Sequence, residues 1–452
     1  MNKNSFGTIV KKKLFVKTFG CQMNVYDSLR MVDLMRTLGF EQTDTPDDAD
    51  MIIFNTCHIR EKASEKIFSE LGRFKPLKEQ RKAQGRDLIL VVAGCVVQAE
   101  SAEFMNRAKF VDIALGPQTY HRLPEMLRRL EQKRKQRIID VEFPAVAKFD
   151  SLPAAKSNGV SSFLAIQEGC DRFCSYCVVP YTRGAEYSRP LAEIVAEARQ
   201  LAATGTKDLM LLGQNVNAWH GEGADGNPSD LSRLVKAVAE IDGIERIRYV
   251  TSYPSDFTEA MIAMHRDIPK VMPYLHLPIQ SGSDRILKKM NRRYTCAEYE
   301  EIVSRLREAC PEIALSSDFI VGFPEETEDD FEQTMDLVRR VRFAQSYSFK
   351  YSARPGTPAA AMKAQIPEDV KTERLERLQA LLIEQHAAYN AGFLGRETDV
   401  LLEDRAKKKG FLLGHTPQMQ NVVVKAPENM LGQIIRVRIT KTAATTLEAE
   451  LA

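Results

Sequence analysis

The chain has 452 residues, 44% of them hydrophobic and 27% charged, and 63 Lys and Arg against 61 Asp and Glu leave a net charge of +2. That is the balance of a globular protein with room for two or three domains, and the charge does not by itself mark a nucleic-acid binder. The longest apolar runs, such as 88–93, are too short to span a bilayer, so no membrane segment is expected.

Near the start, Lys17 interrupts the apolar stretch that follows lysines 11–13, which is not the pattern of a signal peptide. A cytoplasmic, reducing location is therefore expected, and the eight cysteines are expected to serve metal binding, catalysis or burial instead of disulfides. Short apolar runs at 14–19, 51–55, 88–93 and 111–115 alternate with amphipathic stretches such as 27–38 and 59–74. This alternation predicts a parallel, Rossmann-like α/β domain over 12–132. Periodicity fades between 131 and 162, where Pro, Ala, Lys and Ser accumulate, and a linker is placed at 133–155.

A second βα series follows. Its strands are expected at 163–167, 208–212, 246–251, 274–277, 314–321 and 346–351, with helical patterns such as 191–203 and 327–341 between them. Six units suit an open, partial (β/α)6 barrel over 156–388. One long amphipathic helix is expected from Pro367 to about residue 390. The last segment, 391–452, changes to β-type runs at 399–402, 421–424 and 434–439, the pattern of a small all-β barrel of a kind often used to grip nucleic acid. The basic clusters at 128–137 and 407–409 read first as solvated faces.

Two cysteine sets carry the chemistry. Cys170, Cys174 and Cys177, in Gly-Cys-Asp-Arg-Phe-Cys-Ser-Tyr-Cys, place three thiolates on one tight loop after the first barrel strand. Soft, charged thiolates suit iron–sulfur clusters, and three of them leave one iron of a four-iron cluster open to a chelating substrate. The alternative is a structural metal site, which wants a fourth ligand nearby. Cys21, Cys57 and Cys95 are far apart in sequence, but each follows an apolar run. If those runs are parallel strands, the three cysteines share the carboxyl edge of one sheet, where open α/β folds bind ligands. The alternative is three buried core cysteines. Cys296 and Cys310 read as ordinary helix residues.

The Cys170–Cys174–Cys177 loop resembles the radical S-adenosylmethionine (SAM) superfamily, over about 156–388. The resemblance implies SAM bound to the open iron as a radical source. It implies that Tyr176 packs on the adenine and that Gln214 and Asn215, in Leu212-Gly213-Gln214-Asn215, lie by the methionine part. Ser252, Gln280 and Asp318 would face the same site from later strand ends. The whole chain is similar to the methylthiotransferase family. The similarity rests on Thr18-Phe19-Gly20-Cys21-Gln22-Met23-Asn24, on Asn55-Thr56-Cys57-His58-Ile59-Arg60-Glu61-Lys62-Ala63 and on Pro180-Tyr181-Thr182-Arg183-Gly184. The last two resemble the branch acting on isopentenylated tRNA adenosine, and the C-terminal part resembles the TRAM RNA-binding barrel.

The resemblance implies two [4Fe–4S] clusters, on Cys21, Cys57 and Cys95 and on Cys170, Cys174 and Cys177, and SAM as methyl donor too. It implies methylthiolation at C2 of N6-isopentenyladenosine next to the anticodon (position 37), with no catalytic side chain beyond the cluster ligands. The implied partners are that tRNA, an electron donor such as a flavodoxin and a sulfur donor, the chain itself being a monomer. Two places depart from the family: Glu325 stands where glycine is usual, and 414–421 lacks the usual arginine-bearing loop.

Overall fold

The structure, a computed structural model, describes residues 12–57, 63–132, 136–144, 148–157 and 159–452. They fall into two compact units: the chain up to Ala155 with Val178–Gly184, and Lys156–Cys177 with Ala185–Ala452.

The first unit contains β1 (Lys12–Thr18), α1 (Gln22–Arg36), β2 (Phe40–Gln42), β3 (Met51–Thr56), α2 (Ala63–Ala83), β4 (Ile89–Gly94), α3 (Cys95–Arg107), β5 (Ile113–Leu115), α4 (Leu123–Gln132), β6 (Ile138–Asp140) and the short α5 (Val179–Arg183). The strands form one parallel sheet in the order β2-β1-β3-β4-β5-β6. β3 is buried along its whole length and β4 all but its first residue, as strands covered on both faces must be. One core, with Leu14, Met35, Ile53 and Val91, lies on one face of the sheet, and a second, with Phe54, Ile67, Leu71 and Phe104, lies on the other.

The sequence missed β2 and β6, each three residues long and at a sheet edge. β6 and the buried Lys148 lie within the stretch read as linker, where so short an edge strand leaves no periodicity. Of the helix expected over 59–74, residues 59–62 lie outside those described; α2 begins at Ala63 and runs on through Pro76 to Ala83.

The second unit opens with β7 (Ser161–Ala165), β8 (Gln167–Glu168) and β9 (Tyr187–Ser188). It continues through α6 (Leu191–Ala203), β10 (Asp208–Leu212), α7 (Leu231–Ala239), β11 (Arg246–Tyr249), α8 (Glu259–Asp267), β12 (Tyr274–His276), α9 (Asp284–Lys289), α10 (Cys296–Ala309), β13 (Ala314–Val321), α11 (Glu328–Val341), β14 (Gln345–Lys350) and α12 (Glu368–Ala391). Six long-axis strands form two parallel sheets, β7-β10-β11 and β12-β13-β14, joined by a single parallel bridge between Ile247 and Val271. This is the open, partial barrel expected. Helix starts are locally encoded: Thr295 with Glu298, and Thr327 with Asp330, close reciprocal capping boxes on α10 and α11.

Beyond α12, β15 (Glu397–Arg405), β16 (Phe411–His415), β17 (Asn421–Lys425), β18 (Ile434–Thr442) and β19 (Leu447–Leu451) close a barrel in the order β15-β16-β17-β19-β18. Val400, Leu402, Leu412, Val422, Val424, Val437 and Ile439 fill it. It packs on the amino ends of the larger barrel's strands. Arg246, the first residue of β11, donates to the carbonyls of His415 (2.8 Å) and Asp399 (3.1 Å), and Ser161, the first residue of β7, donates to Glu403. Among the described residues no helix is long and apolar enough to cross a membrane.

Candidate metal centres

In the first unit the backbone brings Cys21, Cys57 and Cys95 to one edge. Cys57 directly follows β3, Cys95 opens α3 directly after β4, and Cys21 stands three residues past β1, immediately before α1. Register aligns Thr18 with Asn55, and Asn55 with Ala93, so the three carboxyl ends lie side by side. β1 and β3 flank the point where strand order reverses, the usual ligand crevice of such sheets. Gly20 makes the approach possible: at φ +116°, a Cβ there would lie 2.2 Å from the Cβ of Cys57 and 2.9 Å from its Sγ.

Polar side chains fix this edge from below. Asn24 donates to the Phe19 carbonyl (2.9 Å), and Asn55 donates to the Asn24 carbonyl (2.8 Å) and to Ser28 (3.0 Å). Arg183, on α5, reaches in to donate to Asp27 (2.7 Å) and to the Asn24 carboxamide oxygen (3.1 Å). Asp27 also accepts from Lys148 (3.3 Å), which donates to the Pro117 carbonyl (3.0 Å); all three charged residues are buried. A hydrogen bond from Cys57, helped by the nearby Arg183 charge, pulls the Cys21 thiol down to about 6. Burial pushes the Cys95 thiol up, although Arg183 hydrogen-bonds it. The edge therefore favours a thiolate where it is tightest. Sequence reasoning missed Arg183, Asp27 and Lys148 in these roles, because nothing in local spacing brings residues 27, 148 and 183 together.

In the second unit, Gly169 at φ +77° turns the chain out of β8 into the loop bearing Cys170, Cys174 and Cys177. The loop is held at several points. The Gly169 amide donates to the Gln214 side chain (2.6 Å), the Ser175 amide and hydroxyl donate to the carbonyls of Met290 (3.0 Å) and Lys289 (2.8 Å), and the Cys177 amide donates to the Cys174 carbonyl (2.9 Å). Burial pushes the Cys170 thiol up to about 11. Tyr176 packs against the cluster of Ile286, Met290, Phe323 and Tyr351. Arg292, a residue the sequence did not single out, donates to Cys174 Sγ at 3.5 Å.

Gln214 is thus a brace for the loop. Asn215 is buried three residues past β10; its side-chain Nδ2 donates to Asp256 (3.0 Å), which also accepts from Arg172 of the cysteine loop. Among the described residues, the buried Asn215 side-chain oxygen and Ser252 hydroxyl have no hydrogen-bond partner. Gln280 holds φ +78° and its amide donates to the Asp318 carbonyl (3.0 Å); Asp318 lies 3.6 Å from His276 Nε2. Thr251, beside Ser252, is also at positive φ, +65°. Strained backbone and unsatisfied polar atoms gather at the carboxyl ends of the strands, where barrel sites are built. The orphaned acceptor on Asn215 and hydroxyl on Ser252 fit a polar ligand such as SAM, and soft thiol sets fit iron–sulfur clusters.

Among the described residues no three His, Cys, Asp or Glu side chains stand close enough to share one metal ion. Thiolates on separate irons of a cluster stand farther apart than the ligands of a single ion. Cys296 opens α10, and Cys310 is the residue that ends it, not an interior helix position.

Three family models match. Residues 13–116 match the "Uncharacterized protein family UPF0004", 164–338 the "Radical SAM superfamily" and 393–452 the "TRAM domain". This domain order is typical of methylthiotransferases and points to one acting on RNA or protein. Among solved structures, the chain is similar to the radical SAM methyltransferase TsrM from Kitasatospora setae with tryptophan substrate and a SAM analogue bound. The identity is 14% and the TM-score 0.55, over 77% of this chain and 75% of that one. A second structure of that enzyme holds cobalamin and a [4Fe–4S] cluster. The cobalamin-dependent SAM radical enzyme OxsB, with aqua-cobalamin and SAM bound, matches at 11% identity and TM-score 0.52, over 82% of this chain and 56% of that one. At these identities the likeness establishes the shared fold.

Proposed function

We propose that this chain is a tRNA methylthiotransferase that modifies C2 of N6-isopentenyladenosine at position 37. The observation that carries the reading is the pairing of two three-cysteine sets, one at the edge of the Rossmann-like sheet and one on the barrel loop, in a chain that ends in a TRAM barrel. Cys170, Cys174 and Cys177 would hold one [4Fe–4S] cluster, and Cys21, Cys57 and Cys95 a second. When bound, the clusters and SAM supply the one-electron and methyl chemistry that an unactivated aromatic C–H bond requires, which no side chain provides.

The chain's own residues orient and shield. Gln214 and Ser175 fix the cysteine loop. Tyr176, in its apolar cluster, offers a ring face for an adenine. Asn215 and Ser252 offer polar atoms for the rest of SAM, and Gln280 and Asp318 line the opposite strand ends. On the other unit, Gly20 lets two cysteines meet and Arg183 supplies positive charge beside thiolates. The base would be splayed from the anticodon loop, as loop recognition generally requires. We place the protein in the cytoplasm as a monomer, served by a flavodoxin-like electron donor and a separate sulfur donor.

Mass spectrometry of nucleosides from tRNA of cells with and without the gene tests this. Loss of 2-methylthio-N6-isopentenyladenosine, with N6-isopentenyladenosine accumulating, is expected. Loss of a methylthiolated threonylcarbamoyl-adenosine, or of a methylthiolated ribosomal-protein aspartate, would assign a sibling activity instead.

A further inference from the structure

Arg292 follows α9 in the run Asn291-Arg292-Arg293-Tyr294, and that run is pinned to the cysteine loop. Asn291, at φ +58°, donates to the Phe173 carbonyl (2.9 Å), and the Arg293 amide donates to the Tyr253 hydroxyl (3.0 Å). The guanidinium is held on every side. Nε donates to the Tyr294 hydroxyl (2.6 Å) and Nη2 to the Pro278 carbonyl (2.7 Å). The Tyr253 ring centre lies 4.3 Å away and that of Tyr294 5.1 Å. Tyr294 is itself locked, donating its own proton to the Ile279 carbonyl (2.9 Å).

What remains is Nη1, which points to Cys174 Sγ at 3.5 Å. Among the described residues no carboxylate lies within 4.0 Å of this guanidinium. An arginine that only braced a loop would gain most from a carboxylate. Here neutral acceptors and ring faces fix the orientation, and the remaining acceptor is the sulfur of a candidate cluster ligand.

We propose that Arg292 is a positioning residue that raises the reduction potential of the cluster held by Cys170, Cys174 and Cys177, through its hydrogen bond to Cys174. This rests on the reading that those cysteines hold a cluster. A charge-assisted N–H···S bond strengthens as electron density on the sulfur grows, so it favours the reduced state. The step concerned is the transfer of one electron from an external reductant to the cluster, with no covalent bond formed or broken in the protein. Lysine keeps the charge but not the planar fork, and so cannot hold both Pro278 and Cys174 in the same way.

The test is an EPR-monitored dithionite titration of the full-length chain with Cys21, Cys57 and Cys95 replaced by Ala, so that one cluster is read. Arg292→Met should move the midpoint to a more negative potential, Arg292→Lys should move it less in the same direction, and the exposed Arg293→Met should leave it in place. An unchanged midpoint in whichever Arg292 variants carry iron would overturn the proposal. So would loss of iron from both variants with the chain folded by circular dichroism, since Arg292 would then hold the loop and not tune it. Absence of iron from the parent chain with Arg292 intact would instead defeat the cluster reading itself.

Discussion

Gly20→Ala tests the geometry of the N-terminal cysteines without touching a cysteine. The new Cβ would sit 2.2 Å from the Cβ of Cys57, where ordinary contact begins at 3.4 Å, so Cys57 or the backbone must move by more than an ångström. The atom in the way is the root of the side chain, not its flexible end, so the strain cannot be relieved by a rotamer change. Crowding of this kind costs about 1–3 kcal/mol. Forcing an L-residue into φ +116° adds about 1–3 kcal/mol. Together they are a large share of the ~5–15 kcal/mol that holds a typical domain. Gly39 is an internal control: it holds φ +81° but has nothing within 4 Å, so Gly39→Ala carries the backbone cost alone. The assay is iron content and thermal melting after anaerobic reconstitution. The parent should bind about eight irons and Gly20→Ala about four, because Cys57 is displaced from its partners. Gly39→Ala should keep about eight, with a slightly lower melting temperature. If Gly20→Ala kept full iron and melted with Gly39→Ala, the close approach of Cys21 and Cys57 would not be a requirement of the site.

Cys95→Ala should abolish methylthio product while 5′-deoxyadenosine still forms from SAM, and Cys174→Ala should abolish both; near-normal product from Cys95→Ala would return Cys95 to the core. Glu325 stands at φ +67°, so Glu325→Gly should be more stable than Glu325→Ala by about 1 kcal/mol in chemical denaturation, the lost Lys289 ion pair (2.5 Å) being common to both. Burial pulls the His265 imidazole down to about 4, so its unfolded form binds a proton first as pH falls below about 6.5. Stability should therefore drop as pH falls from about 6.5 towards 4, and His265→Gln should flatten that slope; an unaltered slope would assign it to other groups. Replacing Lys407, Lys408 and Lys409 by Ala should weaken tRNA binding, most visibly at low salt, without changing the melting temperature. Truncation before Gly395 should lower both, since Arg246 then loses the carbonyls of His415 and Asp399.

The six barrel strands were legible because each is a short run containing apolar or aromatic residues set between helical patterns. The same signal marked β1, β3 and β4, and with them the edge on which Cys21, Cys57 and Cys95 lie. The C-terminal strands were harder. Leu447–Leu451 reads Leu-Glu-Ala-Glu-Leu, a helix-forming composition, and becomes a strand because pairing with β17 and β18 completes the barrel. Phe411–His415 contains Gly414, whose missing Cβ leaves room for the Leu401 carbonyl that a side chain would strike at 2.1 Å. Glu325 was visible as a departure from a family glycine, and its left-handed backbone supplies the reason glycine is usual there. The roles of Arg183 and Arg292 were invisible, since an arginine declares its role only through what tertiary packing sets against it.

The N-terminal unit is not contiguous in the chain: Val178–Gly184, which carries the arginine bonded to Asp27, is separated from the rest by the first strand and the cysteine loop of the second. During synthesis, which proceeds from the N-terminus, the ribosome releases residues up to Ala155 well before Arg183. The six-stranded sheet is then free to form, but the edge bearing Cys21, Cys57 and Cys95 is finished only after Cys170, Cys174 and Cys177 have also emerged. Both sets of thiols thus become available at one stage of translation, and an expressed fragment ending at Ala155 would contain three of the cysteines without the positive charge that lies beside Cys21 and Cys95.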